Sequence, residues 1–345
     1  MINAPQSDVF IKSGDIAFKS TSAGAPLRKL KNITDPYFGE IMLTVEEMPK
    51  IERELEKCTT VKKVVHYLKK YKENMLPTEL KMFELFEAAA PVANRMKLPD
   101  LLQAWYKDSL IKLKLAEFSV IDEIDKMSQN LSLQTAFEVR KRTTDCRKIL
   151  IDSYPESPFK RKDIIASLEE IIPKSGEEEL LNELKEYSNN LPTSGTNENA
   201  FIVKYANRSH EEIAKRLIRL SVGTVEHILP ESLGGENDIK NFMLVSSAAN
   251  SMRGNTPLPN FIKRFPQVLS NIQIYIKDIM KVIERGGLRG NQSYPYKLKS
   301  TLKRESKGLI NLDISEFKYK KGEAVKLEKE SKLTKKDKKK MRRRR

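Results

Sequence analysis

The sequence predicts a mainly α-helical protein that carries one small α+β module. Three observations lead to this fold class. From Thr44 to about residue 190, apolar residues recur at three- and four-residue spacing, which is typical of amphipathic helices. After residue 224, a short stretch predicts the succession strand, loop, strand and helix. The last twenty residues are almost wholly polar and rich in Lys and Arg, a composition that predicts a disordered tail.

Length and composition indicate a globular chain of about two domains. The 345 residues exceed the ~100–200 residues of one domain, and 39% of them are hydrophobic, enough for a core. Two cysteines, Cys58 and Cys146, cannot form a disulfide scaffold, so we expect a reducing compartment. The N-terminus lacks the features of a secretory signal, and no apolar stretch has the length of a membrane span. We therefore expect a cytoplasmic protein without a membrane partner.

The charge of the chain suggests an acidic partner, of which nucleic acid is the commonest. Lys and Arg number 63 against 47 Asp and Glu, which gives a net charge of +16. Residues 326–345 alone hold twelve Lys/Arg and three acidic residues. Residues 288–311 are also basic and contain tyrosines, which makes them a candidate surface for a nucleic-acid backbone. A solubility tail and a solvated loop are equal alternatives for these two segments.

Periodicity, prolines and charge divide the chain into five segments. We expect an irregular N-terminal segment over 1–45, a helical domain over 46–190 and the α+β module over 191–265. A C-terminal helix with the basic segment follows over 266–315, and the disordered tail covers 316–345. Within 191–265, residues 201–205 predict a short strand. Ser209 and Glu212 have the spacing of a capping box and predict the start of a helix.

The α+β module contains the residues suited to chemistry. Residues 225–229 form a short β-prone run with Glu226 and His227 at its centre. Neighbouring side chains of a strand point to opposite faces, so these two serve one site only if the strand bends or the site wraps its edge. Gly234-Gly235 opens a loop, 242–245 is a second apolar run, and 247–252 has a helical pattern.

Residues 224–258 resemble the HNH endonuclease family, which has a ββα-metal fold. The resemblance rests on an ordered set of positions rather than on any one residue. These positions are the acid–His pair Glu226-His227, Pro230 three residues later, the loop residues Gly234, Gly235 and Asn237, the central Asn241, and Asn250 on the helix. It implies a metal-dependent endonuclease that hydrolyses the phosphodiester bonds of DNA.

The resemblance also implies a role for each site residue. His227 is the general base that takes a proton from water, and Asn241 helps to hold it. Glu226 and Asn250 supply oxygen ligands for Mg²⁺ or Mn²⁺, and Arg253 contacts the scissile phosphate. The chain has no CxxC pair, so no structural zinc is expected.

Two other functions remain open at this stage. The module can be a catalytically silent, HNH-type unit that binds DNA without cutting it. It can also be the nuclease subunit of a larger, defence-type complex that holds a protein partner through the helical domain. Single residues have simpler explanations as well: Asn241 can cap a turn, Asn250 can be an ordinary polar residue of a helix, and Arg253-Gly254 can be a helix end.

Overall fold

The computed structural model describes residues 22–152, 161–315 and 317. These residues are mainly helical, with thirteen α-helices and one two-stranded antiparallel sheet, as the sequence predicts. They form two compact units: a helical unit over 46–221, and a hairpin unit in which 22–45 pack with 222–317. None of the helices in the described ranges has the length and apolar character needed to span a bilayer. Residues 1–21 and the predicted tail, apart from Phe317, lie outside the described residues.

The helical unit is built from amphipathic helices that start at caps and prolines. Thr60 caps the second helix by accepting from the Lys63 backbone N–H, and Pro77 begins the third. The predicted capping box of Ser209 and Glu212 is present at the start of the last helix. The nine helices are α1 Met48–Glu56, α2 Val61–Leu68, α3 Pro77–Ala89, α4 Leu98–Met127, α5 Leu133–Asp152, α6 Arg161–Ser175, α7 Glu178–Tyr187, α8 Glu198–Tyr205 and α9 His210–Arg219.

The short strand predicted over 201–205 is wrong, because these residues belong to α8. Asn197 caps that helix by accepting from the backbone N–H groups of Asn199 and Ala200. Phe201 is then buried along α8, which packs on the long helix α4. The cap and the burial outweigh the β-propensity of the apolar run. The helical unit consequently extends to Ser221, beyond the predicted limit of the helical domain at residue 190.

A buried ion pair joins α9 to α3 in the helical unit. The Arg216 guanidinium bonds the Glu79 carboxylate, donates to Tyr205 Oη at 3.0 Å and donates to the Ser194 carbonyl at 3.3 Å. The side chains of Arg216 and Glu79 are 10% and 1% exposed. Burial raises the pKa of Glu79, and the charge of Arg216 opposes that rise. The pair therefore compensates a carboxylate that has no access to water.

His210, the first residue of α9, is half-buried. Its Nδ1 accepts from the Leu98 N–H at 2.9 Å, and its Nε2 lies 2.7 Å from the Cys58 carbonyl oxygen. Burial lowers the pKa of His210. The neutral ring therefore connects the starts of α9 and α4 to the residues that follow α1.

The hairpin unit packs a two-stranded sheet against helices and the N-terminal segment. Leu27, Ile33 and Tyr37 of that segment are fully buried in the same core as β2 and α12. The segment has no long strand; it pairs with itself at Thr34–Ile41 and with the start of β1 through Leu43 and Val222. The elements are β1 Gly223–His227, β2 Phe242–Ser246, α10 Ser247–Arg253, α11 Leu258–Arg264, α12 Val268–Glu284 and α13 Tyr294–Glu305.

We expect Arg216→Met to destabilise the helical unit by about 3–5 kcal/mol, because the Glu79 carboxylate would stay buried without a cation. The measurement is urea unfolding of the full chain, followed by Trp105 fluorescence, since this tryptophan lies on α4. The matched control is Lys215→Met, which removes a partly exposed pair with Glu56 and should cost less than about 1 kcal/mol. Equal losses in the two variants would contradict the buried pair's role.

Candidate active site

The β1–β2 hairpin places His227 at the end of the first strand. In the register, Gly223 faces Ser246 at one end and His227 faces Phe242 at the other. The two aromatic rings of that last pair meet edge to face, with centroids 4.7 Å apart. Glu226 is buried and His227 is only partly so, as expected for neighbours on opposite faces of a strand. The strand therefore does not bring both side chains into one site.

Asn241 shapes the loop that connects the two strands. Its Nδ2 donates to the carbonyl oxygens of Leu229 and Glu236 at 3.0 and 3.1 Å, and its Oδ1 accepts from the Leu229 N–H at 2.9 Å. Its own carbonyl oxygen accepts from the Ile228 N–H at 2.7 Å. Because the side chain is buried and makes no bond to the His227 ring, Asn241 positions the backbone that follows the histidine rather than the ring itself.

Steric constraints in the loop explain why glycine occupies both position 234 and position 235. A Cβ atom on Gly235 would lie 1.8 Å from the Leu229 carbonyl oxygen, so no larger residue fits there without moving the loop. Gly234 has φ +88°, in the left-handed region that glycine adopts at little cost. Together with Asn241, these residues fold the loop back onto the end of β1.

Asn237 is the residue that holds the His227 ring. Its Oδ1 lies 2.8 Å from His227 Nε2. With Oδ1 as the acceptor, the imidazole carries its proton on Nε2, which leaves Nδ1 as a base. Sequence analysis places Asn237 in the loop without assigning it this contact. The only sequence signal for it is a polar amide just after a Gly-Gly turn.

On the opposite face of β1, Glu226 forms an ion pair with the last residue of α10. Arg253 Nη1 lies 2.5 Å from Glu226 Oε1, and the two side chains are 0% and 5% exposed. Burial raises the pKa of Glu226 to about 7, although the Arg253 charge opposes the rise. Arg253 also donates to the carbonyl oxygens of His227 and Ile228, at 2.8 and 2.5 Å.

The N-terminal segment completes this buried cluster. Asp35 accepts from the backbone N–H groups of Tyr37, Phe38 and Ser246, which ties the segment to the end of β2. The guanidinium of Arg253 lies 6.0 Å from the centre of the Tyr37 ring. Burial raises the pKa of Tyr37 well above its usual range, and the charge of Glu226 adds to the effect. Neither Asp35 nor Tyr37 is identified from the sequence, because both lie far from the module along the chain.

Asn250 lies on the same side of the hairpin as Glu226. It belongs to α10, and its Nδ2 donates to Thr224 Oγ1 at 3.1 Å. Thr224 and Glu226 are two residues apart on β1 and so point to one face. Glu226 Oε2 is buried without a hydrogen-bond partner of good geometry among the described residues. One carboxylate oxygen and the amide of Asn250 are thus presented on a common face.

The structure does not place Arg253 where the sequence suggests. The resemblance implies a contact with the scissile phosphate, but the side chain is fully buried and bonds Glu226 and two carbonyl oxygens. A guanidinium enclosed in this way is a positioning group. The alternative interpretation, a helix end at Arg253-Gly254, is confirmed: α10 ends at Arg253, and Gly254 has φ +51°.

We expect Arg253→Met to destabilise the protein by about 3–5 kcal/mol, because the Glu226 carboxylate would lose its cationic partner while remaining buried. Glu226→Gln should also destabilise, since it leaves the buried guanidinium without an anion. The double variant should lose clearly less than the sum of the two, which urea unfolding of all three proteins measures. Lys240→Met, which breaks the exposed pair with Glu236, is the control and should cost less than about 1 kcal/mol. Strictly additive losses would show that the pair does not act as a unit.

Within the described ranges, no group of three or more His, Cys, Asp or Glu side chains is arranged to hold a metal ion. Comparison with protein-family models, with curated proteins and with solved structures gave no match. The function of the chain is therefore inferred from the geometry around His227, Glu226 and Asn250.

Proposed function

We propose that the chain is a metal-dependent endonuclease of the HNH type that hydrolyses DNA phosphodiester bonds, with His227 as the general base. The observation that carries the proposal is the presentation of His227. Its ring lies at the end of β1, partly exposed, with Nε2 engaged by Asn237 and Nδ1 left as a proton acceptor. The hairpin and the following helix α10 succeed one another in the order that the resemblance implies.

An oriented histidine is suited to the first step of phosphodiester hydrolysis. A neutral imidazole can take a proton from water near pH 7, while the water oxygen attacks phosphorus and the 3′ oxygen leaves. With Asn237 Oδ1 as the acceptor, the proton lies on Nε2, and Nδ1 is the nitrogen that can act as the base. Asn241 and Gly235 act one step further out, because they fix the backbone that carries the ring.

The oxygen donors on the other face of β1 are only partly suited to a divalent cation. Glu226 Oε2 is a buried oxygen without a good partner, and the amide oxygen of Asn250 shares its face. Carboxylate and amide oxygens are ligands of Mg²⁺ and Mn²⁺, so these two residues would hold the ion. Bound there, the ion would supply a Lewis acid for the leaving oxygen. Because Glu226 and His227 point to opposite faces of β1, the two groups would act on one phosphodiester only where the site wraps the edge of the strand. Glu226 Oε1 is already engaged by Arg253, whose positive charge opposes a cation at this carboxylate.

That competition favours a second candidate function, a silent module that binds DNA without cleaving it. The Glu226 side chain is 5% exposed, and its charge is compensated inside the protein. In this case Glu226 and Arg253 have a structural role only. A silent module need not bind a divalent cation at Glu226 and Asn250, so a metal-binding measurement distinguishes it from the nuclease.

We expect the full chain to nick or cut plasmid DNA in Mg²⁺ or Mn²⁺, and His227→Ala to lower the rate by about 10²–10⁴-fold through loss of the base. Asn237→Ala should retain partial activity with an altered pH–rate profile, because the ring loses the partner that sets its tautomer. The control is His66→Ala, which changes an exposed histidine on α2 and should cut like the wild type. Parallel assays on single-stranded DNA and RNA define the substrate. Equal cleavage by wild type and His227→Ala would refute the assignment.

Metal binding is tested by titrating the full chain with Mn²⁺ and following the loss of the free-ion signal by electron paramagnetic resonance. We expect binding that Asn250→Ala weakens by about tenfold or more, since the variant removes one of two side-chain ligands. The matched control is Asn260→Ala, which changes an exposed asparagine on α11. No binding by the folded wild-type chain would favour the silent module.

A further inference from the structure

Helix α13 carries a one-sided basic face on the hairpin unit. Its inward side buries Tyr294, Leu298 and Leu302 in the core. The outward side presents Lys and Arg at helical spacing. The exposed basic residues of this outward face are Lys297, Lys303 and Arg304, followed by Lys307 just after the helix. The single acidic residue of the helix, Glu305, is 15% exposed in its side chain and pairs with Arg304.

Most of this positive charge is not compensated by neighbouring acids. Within the described residues, Lys297, Lys303 and Lys307 form no ion pair within 4.0 Å. Arg304 uses Nε for Glu305 at 2.6 Å, which leaves the terminal nitrogens of its 66% exposed side chain available. The exposed positive charge makes the face electrostatically complementary to a polyanion.

The position of α13 relative to His227 is fixed by two buried tyrosines. Tyr294, the first residue of α13, donates from Oη to the Phe242 carbonyl oxygen at 2.7 Å, and Phe242 is the partner of His227 in the hairpin register. Tyr275 on α12 lies 3.2 Å from Tyr294 through their hydroxyl oxygens and accepts from the Leu244 N–H at 3.1 Å. The helix therefore begins at the end of the hairpin that carries His227.

The loop that holds the histidine also packs against α13. The turn Ile239–Asn241 contacts the helix, and the charge of Arg304 acts on Lys240 in that turn. Lys240 itself is paired with Glu236 at 2.6 Å and adds little free charge. Tyr296 lies on the outward face and donates from its hydroxyl to the Phe317 carbonyl oxygen at 3.0 Å.

From these contacts we infer that the outward face of α13, through Lys297, Lys303 and Arg304, binds the phosphate backbone of duplex DNA and leads it to His227. The inference rests on the proposed function for the identity of the polyanion. Lys297 and Arg304 are seven residues apart, or about 10 Å along the helix. That length suits contacts with phosphates close together on one strand, and contacts to phosphates read no base sequence.

The test is binding of the full chain to a fluorescent ~25-base-pair duplex, measured by anisotropy in EDTA so that nothing is cut. For Lys297→Gln/Lys303→Gln/Arg304→Gln we expect an affinity loss of about tenfold or more near 0.1 M salt. The slope of log K against log [salt] should become shallower by up to about 3, since each lost phosphate contact removes about 0.9. The matched control is Lys107→Gln/Lys141→Gln/Lys148→Gln, which removes equal charge from exposed positions of α4 and α5.

Equal losses in the two triple variants would overturn the inference, because they would reflect net charge alone. Tighter binding of the wild type to vesicles of phosphatidylcholine and phosphatidylserine than to the duplex, abolished by the α13 variant, would also overturn it in favour of a lipid surface. A selective loss in the α13 variant therefore supports the surface even if the wild-type chain cleaves nothing, which would refute only the proposed function.

Discussion

The buried pair between Arg253 and Glu226 is the interaction on which the rest of the hairpin unit depends. Arg253 is the last residue of α10, yet its guanidinium reaches across to β1 and bonds the carboxylate of Glu226 and two backbone carbonyls. One side chain therefore fixes the distance between the helix and the strand. An uncompensated charge in this position would cost several kcal/mol, so the hairpin, the helix and the end of β1 must assemble together.

The same pair divides the hairpin into a structural face and a chemical face. On one side, Glu226, Arg253 and the N-terminal residues Asp35 and Tyr37 form a buried, charged cluster. On the other, His227 lies partly exposed with its ring held by Asn237. Because neighbouring side chains of a strand point to opposite faces, the buried cluster lies on one face of β1 and His227 on the other. The cluster can therefore hold the backbone that orients His227 without contacting its ring.

The basic face of α13 extends this arrangement outward. Tyr294 donates a hydrogen bond to the backbone of Phe242, which is also the strand partner of His227. The basic face and the candidate base are therefore both positioned by Phe242. The two features differ in what they require. A phosphate surface needs only correctly placed charge, whereas a base needs an oriented ring.

Local pattern was sufficient to predict the mainly helical fold, both strands, helix α10 and the adjacency problem of Glu226 and His227, because periodicity and caps act within a few residues. It failed at α8, where the Asn197 cap and burial against α4 overrode a β-prone run. The sequence by itself determined the residue types available for chemistry and their order along the hairpin. Only the tertiary structure decided that Arg253 faces inward, that Asn237 holds His227 and that Asp35 closes the cluster. These contacts join groups 10 to 211 residues apart, and hydrogen-bond geometry and burial, not spacing along the chain, select them.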